Sequence, residues 1–215
     1  MDIQWLGHSC FRLHADDMVV ITDPFPQSLG LRPDFRQATV VTVSNSHPNH
    51  SNWQQVEGSP KVFQAPGEYE YSSITVRGVM TPLSEGMEQA NRNVAYTIEI
   101  DHINICHLGD ITEPLTSRQV QDLLPVDVLL LPSGGRCTLD VDRLSQTMQD
   151  LDPKVVIPMH YQVPGVSVAL DGVDNFLRNM GVTEVQPQPR LSVTLSNIGA
   201  NLRVVLLSPQ ARAVA

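Results

Sequence analysis

The stretch Ser44-Asn45-Ser46-His47-Pro48-Asn49-His50-Ser51 sets two imidazoles three positions apart, directly after an apolar, β-branched run that ends at Val43. Two further stretches follow the same plan. His107 and Asp110 in Cys106-His107-Leu108-Gly109-Asp110 come after the run 103–106, and His160 in Pro158-Met159-His160-Tyr161 comes after the run 155–158. Short Val- and Ile-rich runs bounded by turn residues read as strands, so imidazoles and a carboxylate stand at three separate strand ends. A divalent metal needs three or four N or O donors in one small volume, and loops at strand ends are where a sheet can supply them. Taken singly, each residue has a plainer reading: His47 and His50 as surface loop residues, His160 as a hydrogen-bonded buried histidine.

Outward from these loops, strands are expected at 3–6, 11–14, 18–22, 39–43 and 61–64, then at 74–79, 94–100 and 103–107. Asp101-His102 joins the last two as a tight turn. Helical spacing of apolar residues appears at 116–124, 140–151 and 172–180, with Gly181 where a helix stop belongs. Between these helices, 126–131 and 155–158 are continuous apolar runs that suit strands buried on both faces. The alternating segments 191–195 and 202–207 read as a closing hairpin, and Gln186-Pro187-Gln188-Pro189 as a stiff connector. Strands first, then helix–strand alternation, implies an α/β arrangement of sheets covered by helices.

Composition narrows the function classes. With 215 residues, 41% of them apolar, one domain spanning 1–215 is expected. Fourteen Lys and Arg against 23 Asp and Glu give a formal charge of −9, which repels a long phosphate backbone. The three cysteines, Cys10, Cys106 and Cys137, form no paired CxxC spacing, which fits a reduced, cytoplasmic setting. The first residues lack a basic region followed by an apolar run, and no segment reaches the ~18 apolar residues of a membrane span. A small-molecule substrate is therefore expected, with no nucleic acid and no membrane as partner. The sequence assigns no oligomeric state.

Together the motifs resemble those of the metallo-β-lactamase-fold metal-dependent hydrolases, and the short single-domain branch that includes ascorbate-6-phosphate lactonase-type proteins. The family's HxHxDH motif aligns with Asn45-Ser46-His47-Pro48-Asn49-His50, and its later motifs with His107, Asp110 and His160. The first motif is Asp23 in Ile21-Thr22-Asp23-Pro24. Trp5-Leu6-Gly7-His8-Ser9-Cys10-Phe11, Ala65-Pro66-Gly67-Glu68-Tyr69-Glu70 and Gly134-Gly135 before Thr138-Leu139-Asp140 are similar to the short branch in particular. The resemblance implies a four-layer αββα sandwich and metal ligands at His47, His50, His107, Asp110 and His160. It implies that Asp23 anchors the metal-binding loop through hydrogen bonds. It sets His8 near the mouth of the site, to contact substrate or supply a proton, with packing of its own loop as the alternative; Asn45 is a further substrate contact. Glu68 reads as a solvated turn residue, His14 and His102 as surface groups, and Cys106, adjacent to His107 on a strand, as core on the opposite face. Thr138 and Asp140 read as caps for the following helix.

Two departures bear on the chemistry. Asn45 stands where the family has a histidine and Asn49 where it has an aspartate, so each of the family's two metal positions lacks one ligand. Two histidines and a carboxylate, His50, Asp110 and His160, remain at the second position, a set usable by zinc and also by manganese or iron. If four ligands provide ~10–16 kcal/mol, losing one costs roughly 10² to 10³ in affinity. One ion, or none, is therefore expected rather than two. Asn49 and Asp110 are the residues expected beside the reacting water, and an amide there brings neither charge nor proton acceptance. The leading reading is a metal-dependent, zinc-type hydrolase acting on an ester, lactone, amide or phosphodiester. The alternative is a catalytically inactive hydrolase-fold protein that binds a ligand or partner. An RNA-processing nuclease is disfavoured by the acidic balance.

Overall fold

The computed structural model describes residues 1–82 and 92–214. In chain order the strands are β1 (Asp2–Gly7), β2 (Cys10–Ala15), β3 (Met18–Thr22), β4 (Leu31–Arg32), β5 (Val40–Thr42), β6 (Lys61–Phe63), β7 (Gly67–Tyr71) and β8 (Ile74–Met80). They continue as β9 (Val94–Ile100), β10 (Ile103–His107), β11 (Val128–Pro132), β12 (Val155–Met159), β13 (Leu191–Ser192), β14 (Arg203–Val204) and β15 (Arg212–Ala213). The helices are α1 (Ser117–Leu123), α2 (Val141–Leu151) and α3 (Asp174–Asn179).

Two large sheets result. One runs β13-β1-β2-β3-β5-β6, the other β14-β12-β11-β10-β9-β8-β7, and β4 pairs with β15 as a small third. In the first, β3, β5 and β6 are parallel; in the second, β10, β11, β12 and β14 are parallel. The alternation of side chains sorts the apolar residues into two buried layers. Ile3, Trp5, Phe11 and Leu13 share one cluster with Ile98, Ile105, Leu130 and Ile157 of the opposite sheet. Their strand neighbours Cys106, Leu129, Leu131 and Val156 pack with Leu123, Leu144, Met148 and Phe176 of the helices. β11 is apolar at every position because both its faces are covered.

The expected α/β sandwich is what the chain builds. The three α-helices cover the seven-stranded sheet. Over the six-stranded sheet, Arg12 reaches the carbonyl of Asp34, and the layer consists of chain segments with single 3-10 turns at Gln27–Leu29 and Trp53–Gln55. Helix α1 starts on a capping box, Thr116 accepting the Gln119 N–H while the Gln119 side chain accepts that of Thr116. Asp140 caps α2 by accepting the Arg143 N–H at 2.9 Å. Asp101 and His102, at φ 54° and 60°, make the tight hairpin turn read between β9 and β10. His14 and His102 are exposed, and Cys106 is core.

Two expectations are corrected. The closing hairpin does not form: β13 adds to β1 in one sheet, and β14 adds to β12 in the other. Alternation marks a segment as extended but does not name its partner, and each sheet offered an open edge at this point. Glu68 is solvent-exposed as read, yet it lies on an edge strand, β7, rather than in a turn. No helix among the described residues is long and apolar enough to cross a membrane.

The inter-sheet layer carries the stability. Leu130 is fully buried there, whereas Leu195 is 64% exposed. Urea unfolding of Leu130→Ala is expected to show a loss of about 2–5 kcal/mol, and Leu195→Ala a change within about 0.5 kcal/mol.

Candidate metal centre

The parallel strands of both sheets end at the same place. Asp23 follows β3, His50 lies in the loop after β5, Asp110 follows β10, His160 follows β12, and His8 sits in the β1–β2 turn. Loops beyond the carboxyl ends of parallel strands are the usual location of α/β sites.

Asp23 is fully buried and sits at a left-handed φ of 39°. Its carboxylate accepts the backbone N–H of Ser44 at 2.7 Å and the Ser44 hydroxyl at 2.5 Å, and faces Nδ1 of His50 at 2.8 Å. A carboxylate only accepts, so His50 Nδ1 carries a proton and the ring is locked. Nε2 of His50 then points at Asp110 Oδ2, 2.9 Å away. Asp110 Oδ1 lies 3.4 Å from Nε2 of His160. The His8 ring is 4.2 Å from the His160 ring and 4.9 Å from that of His50, centre to centre. Among the described residues, His8, His50 and His160 form a group whose donor atoms all lie within 4.8 Å of one another.

Several of these donors have no protein partner. Both ring nitrogens of His8, Nδ1 of His160 and Oδ1 of Asp110 are buried without a hydrogen bond among the described residues. Each such atom costs about 1–3 kcal/mol unless something satisfies it. The cluster also requires close backbone approach. A Cβ on Gly134 would lie 2.2 Å from the carbonyl oxygen of His160, and one on Gly109, next to Asp110, 2.2 Å from Asn93 Oδ1. Asn93 is buried and accepts the Asp110 N–H at 2.8 Å while donating to the Leu108 carbonyl at 2.8 Å.

The groups separate into charged and neutral. Burial opposes a proton on His50, but the charges and hydrogen bonds of Asp110 and Asp23 outweigh it and push His50 up to about 10. Burial would raise Asp110, but His50 and His160 overcome it and hold this carboxyl below the usual range. Burial, then the neighbouring His160 and His50, drives His8 well below the ordinary imidazole value. Burial also lowers His160, with His50 working against the pull of Asp110. His8 and His160 are therefore neutral near pH 7, each with a lone pair to offer. His50, protonated between Asp23 and Asp110, would give up its Nε2 proton to an incoming cation; with that proton released, three imidazoles and a carboxylate suit a divalent transition metal, so the residues present fit one.

The structure gathers His50, Asp110 and His160 as read from the sequence, and brings His8 among them. It leaves His107 outside the group and His47 at its edge, the His47 ring 6.3 Å from that of His50. His47 is exposed, and its Nδ1 accepts the Asn49 backbone N–H at 3.2 Å. His107 is fully buried with Nε2 2.7 Å from the Ser9 carbonyl and Nδ1 accepting the Gly109 N–H at 3.2 Å, so both ring nitrogens serve the backbone. Asn45 turns its Oδ1 to the His47 N–H at 3.0 Å. Ser44, Asn93 and Trp5, whose Nε1 donates to the His8 carbonyl at 2.8 Å, escape sequence reading as supports of the site. Ser44 and Trp5 lie inside the quoted motifs; Asn93 carries no local signal.

The His50–Asp110 contact makes a pH signature in the chelated protein. A raised His50 contributes stability that is complete below its unfolded value of 6.5 and is lost as pH rises through about 10. Asp110, being lowered, belongs to the same contact and contributes above 3.8, losing it as pH falls. Thermal melts from pH 6.5 to 10 are expected to fall, with a shallower fall in Asp110→Asn. An equal slope in both proteins would remove the contact as its cause.

Similar proteins place the chain in a family. The family model described as beta-lactamase superfamily domain matches residues 2–160. A metal-dependent hydrolase of the UPF0173 group from Carboxydothermus hydrogenoformans is 26% identical, covering 75% of this chain and 84% of its own. One from Pyrococcus horikoshii is 24% identical, covering 74% and 84%. Among solved structures, a Thermotoga maritima protein of the metallo-beta-lactamase superfamily is 30% identical, covering 96% of this chain and 99% of its own with a TM-score of 0.78. Igni18, a metallo hydrolase from Ignicoccus hospitalis, shares the fold at 18% identity and a TM-score of 0.64, covering 90% and 99%. The family match runs from the first strand through the last of the converging histidines, and the chain belongs to the beta-lactamase superfamily domain family.

Proposed function

We propose that this protein is a metal-dependent hydrolase that uses one divalent ion, zinc by preference, held by His50, Asp110 and His160, to hydrolyse a small molecule bearing an ester, lactone, amide or phosphodiester. The observation that carries this reading is the convergence of those donors around buried nitrogen and oxygen atoms that no described protein group satisfies. The relatives support it: the curated ones are metal-dependent hydrolases, and the Thermotoga maritima protein is described as a candidate zinc-dependent one.

When bound, a divalent cation supplies Lewis acidity and lowers the pKa of water. The chain's own residues supply the rest. Asp110 accepts hydrogen bonds only, and its buried Oδ1 is the group that orients the attacking water. Asn49 replaces a second carboxylate with a neutral amide, which holds a water but does not accept its proton, so Asp110 is the carboxylate left to orient that water. Asp23 fixes the His50 ring by holding Nδ1. Asn45, with Ser44, Gln64 and Arg92, lines a cavity of about 230 Å³ beside the loop, which suits a small polar group. A larger cleft of about 680 Å³ at Glu68, Arg77, Thr116 and Arg118 includes none of the imidazoles. Donor chemistry, rather than volume, supports this choice of site.

A second reading is a binding module without turnover. His50 already closes an ion pair with both Asp23 and Asp110, so part of the polar cluster satisfies itself without an ion. Metal analysis separates the two readings. After zinc, manganese and iron are offered in turn, about one equivalent is expected in the native protein, and His160→Ala is expected to lower affinity by roughly 10² to 10³. No retained metal under any condition favours the second reading. Restoring the family residues with Asn45→His and Asn49→Asp together is expected to raise the stoichiometry toward two and to increase esterase or phosphodiesterase turnover. An unchanged stoichiometry would mean that the loop is misaligned with the family motif.

A further inference from the structure

We propose that His8 is the third imidazole ligand of a single ion held with His50 and His160, supplying from the β1–β2 turn the donor lost at Asn45 and Asn49. This deepens the metal-dependent reading and rests on it. Three observations combine. First, the donor atoms of His8, His50 and His160 lie within 4.8 Å of one another, and the His8 and His160 rings are 4.2 Å apart. Second, neither nitrogen of the buried His8 ring has a hydrogen-bond partner among the described residues, although an imidazole packed only to fill space keeps at least one. Third, the backbone holds the ring there by force. His8 and His160 both take left-handed φ values, 52° and 53°, which non-glycine residues adopt rarely and keep where the surroundings impose them.

Those surroundings are specific. The His160 N–H donates to the His8 carbonyl at 3.0 Å, which ties the two turns directly to each other. The same carbonyl accepts Trp5 Nε1 at 2.8 Å, from a ring that is itself fully buried against Tyr161. Two donors on one oxygen fix the turn, and the turn presents the ring. His47 and His107 do not compete for the role. The first is exposed, and the second has both nitrogens engaged by the backbone.

Equilibrium titration of the purified, chelator-treated protein with Co²⁺ and Zn²⁺ tests this. The native protein is expected to bind one ion, and His8→Asn, which tolerates the left-handed backbone, to bind it about 10² to 10³ less tightly. His47→Ala is expected to bind as the native protein does. His8→Gly, free of the backbone strain, guards against misfolding and is expected to show the same loss of affinity with an unchanged or higher melting temperature without metal. His8→Cys is expected to restore tight binding and to give a thiolate-to-cobalt charge-transfer band absent from the native spectrum, which a role in packing alone does not produce. Native binding with no loss in His8→Asn and no new band in His8→Cys overturns this inference and leaves the metal-dependent reading standing. Absence of metal from the native protein overturns both.

Discussion

The buried carboxylate of Asp23 is the constraint on which the site depends. It accepts the backbone and the hydroxyl of Ser44 and holds Nδ1 of His50, thereby joining the end of β3 to the loop after β5. An acceptor with no donors of its own, placed where water does not reach, must be satisfied by groups that come to it. It therefore determines where the loop runs and which nitrogen of His50 is left to face the other sheet. Without that lock the two halves of the sandwich would meet at the same rim with their donors in arbitrary orientations.

The opposite wall is shaped by close approach rather than by charge. Gly109 and Gly134 let the backbone pass within a distance no Cβ would permit, and Asn93 holds the Asp110 loop by its amide. The left-handed turns at His8 and His160 are tied together through one carbonyl. These features are unfavourable locally and are sustained by two buried apolar layers. A strained, partly unsatisfied polar cluster set in a well-packed frame is what binding an ion requires, because the ion completes what the protein leaves open.

The asparagines change how the loop is used. His47 is exposed, and the bonds from its N–H to Asn45 Oδ1 and from the Asn49 N–H to its own Nδ1 fold the loop back on itself. His50, between two carboxylates, becomes the one strongly basic imidazole, while His8 and His160 are held neutral. The group of neighbouring donor atoms thus joins one residue of the motif, His50, to His8 and His160 from two other strand ends. The loss of two expected donors and the presence of an orphaned histidine nearby are parts of one arrangement.

Much was legible from the residues alone. Periodicity placed the strands other than β4, β7 and β15, and the three helices, since apolar spacing reports directly which faces are covered, and the order of His50, Asp110 and His160 at strand ends marked the rim. What the sequence could not decide was partnership. The segments around Leu191 and Arg203 look like a hairpin, yet each adds to a different sheet, because extended backbone pairs with whichever edge packing leaves open. His107 looks like a ligand, but the β1–β2 turn supplies a carbonyl to its ring. His8 looks like a residue at the mouth, but a hydrogen bond from His160 draws it into the cluster. Local pattern determines what each element is. Which lone pairs remain free is decided only when backbone groups distant in sequence take up their own hydrogen bonds.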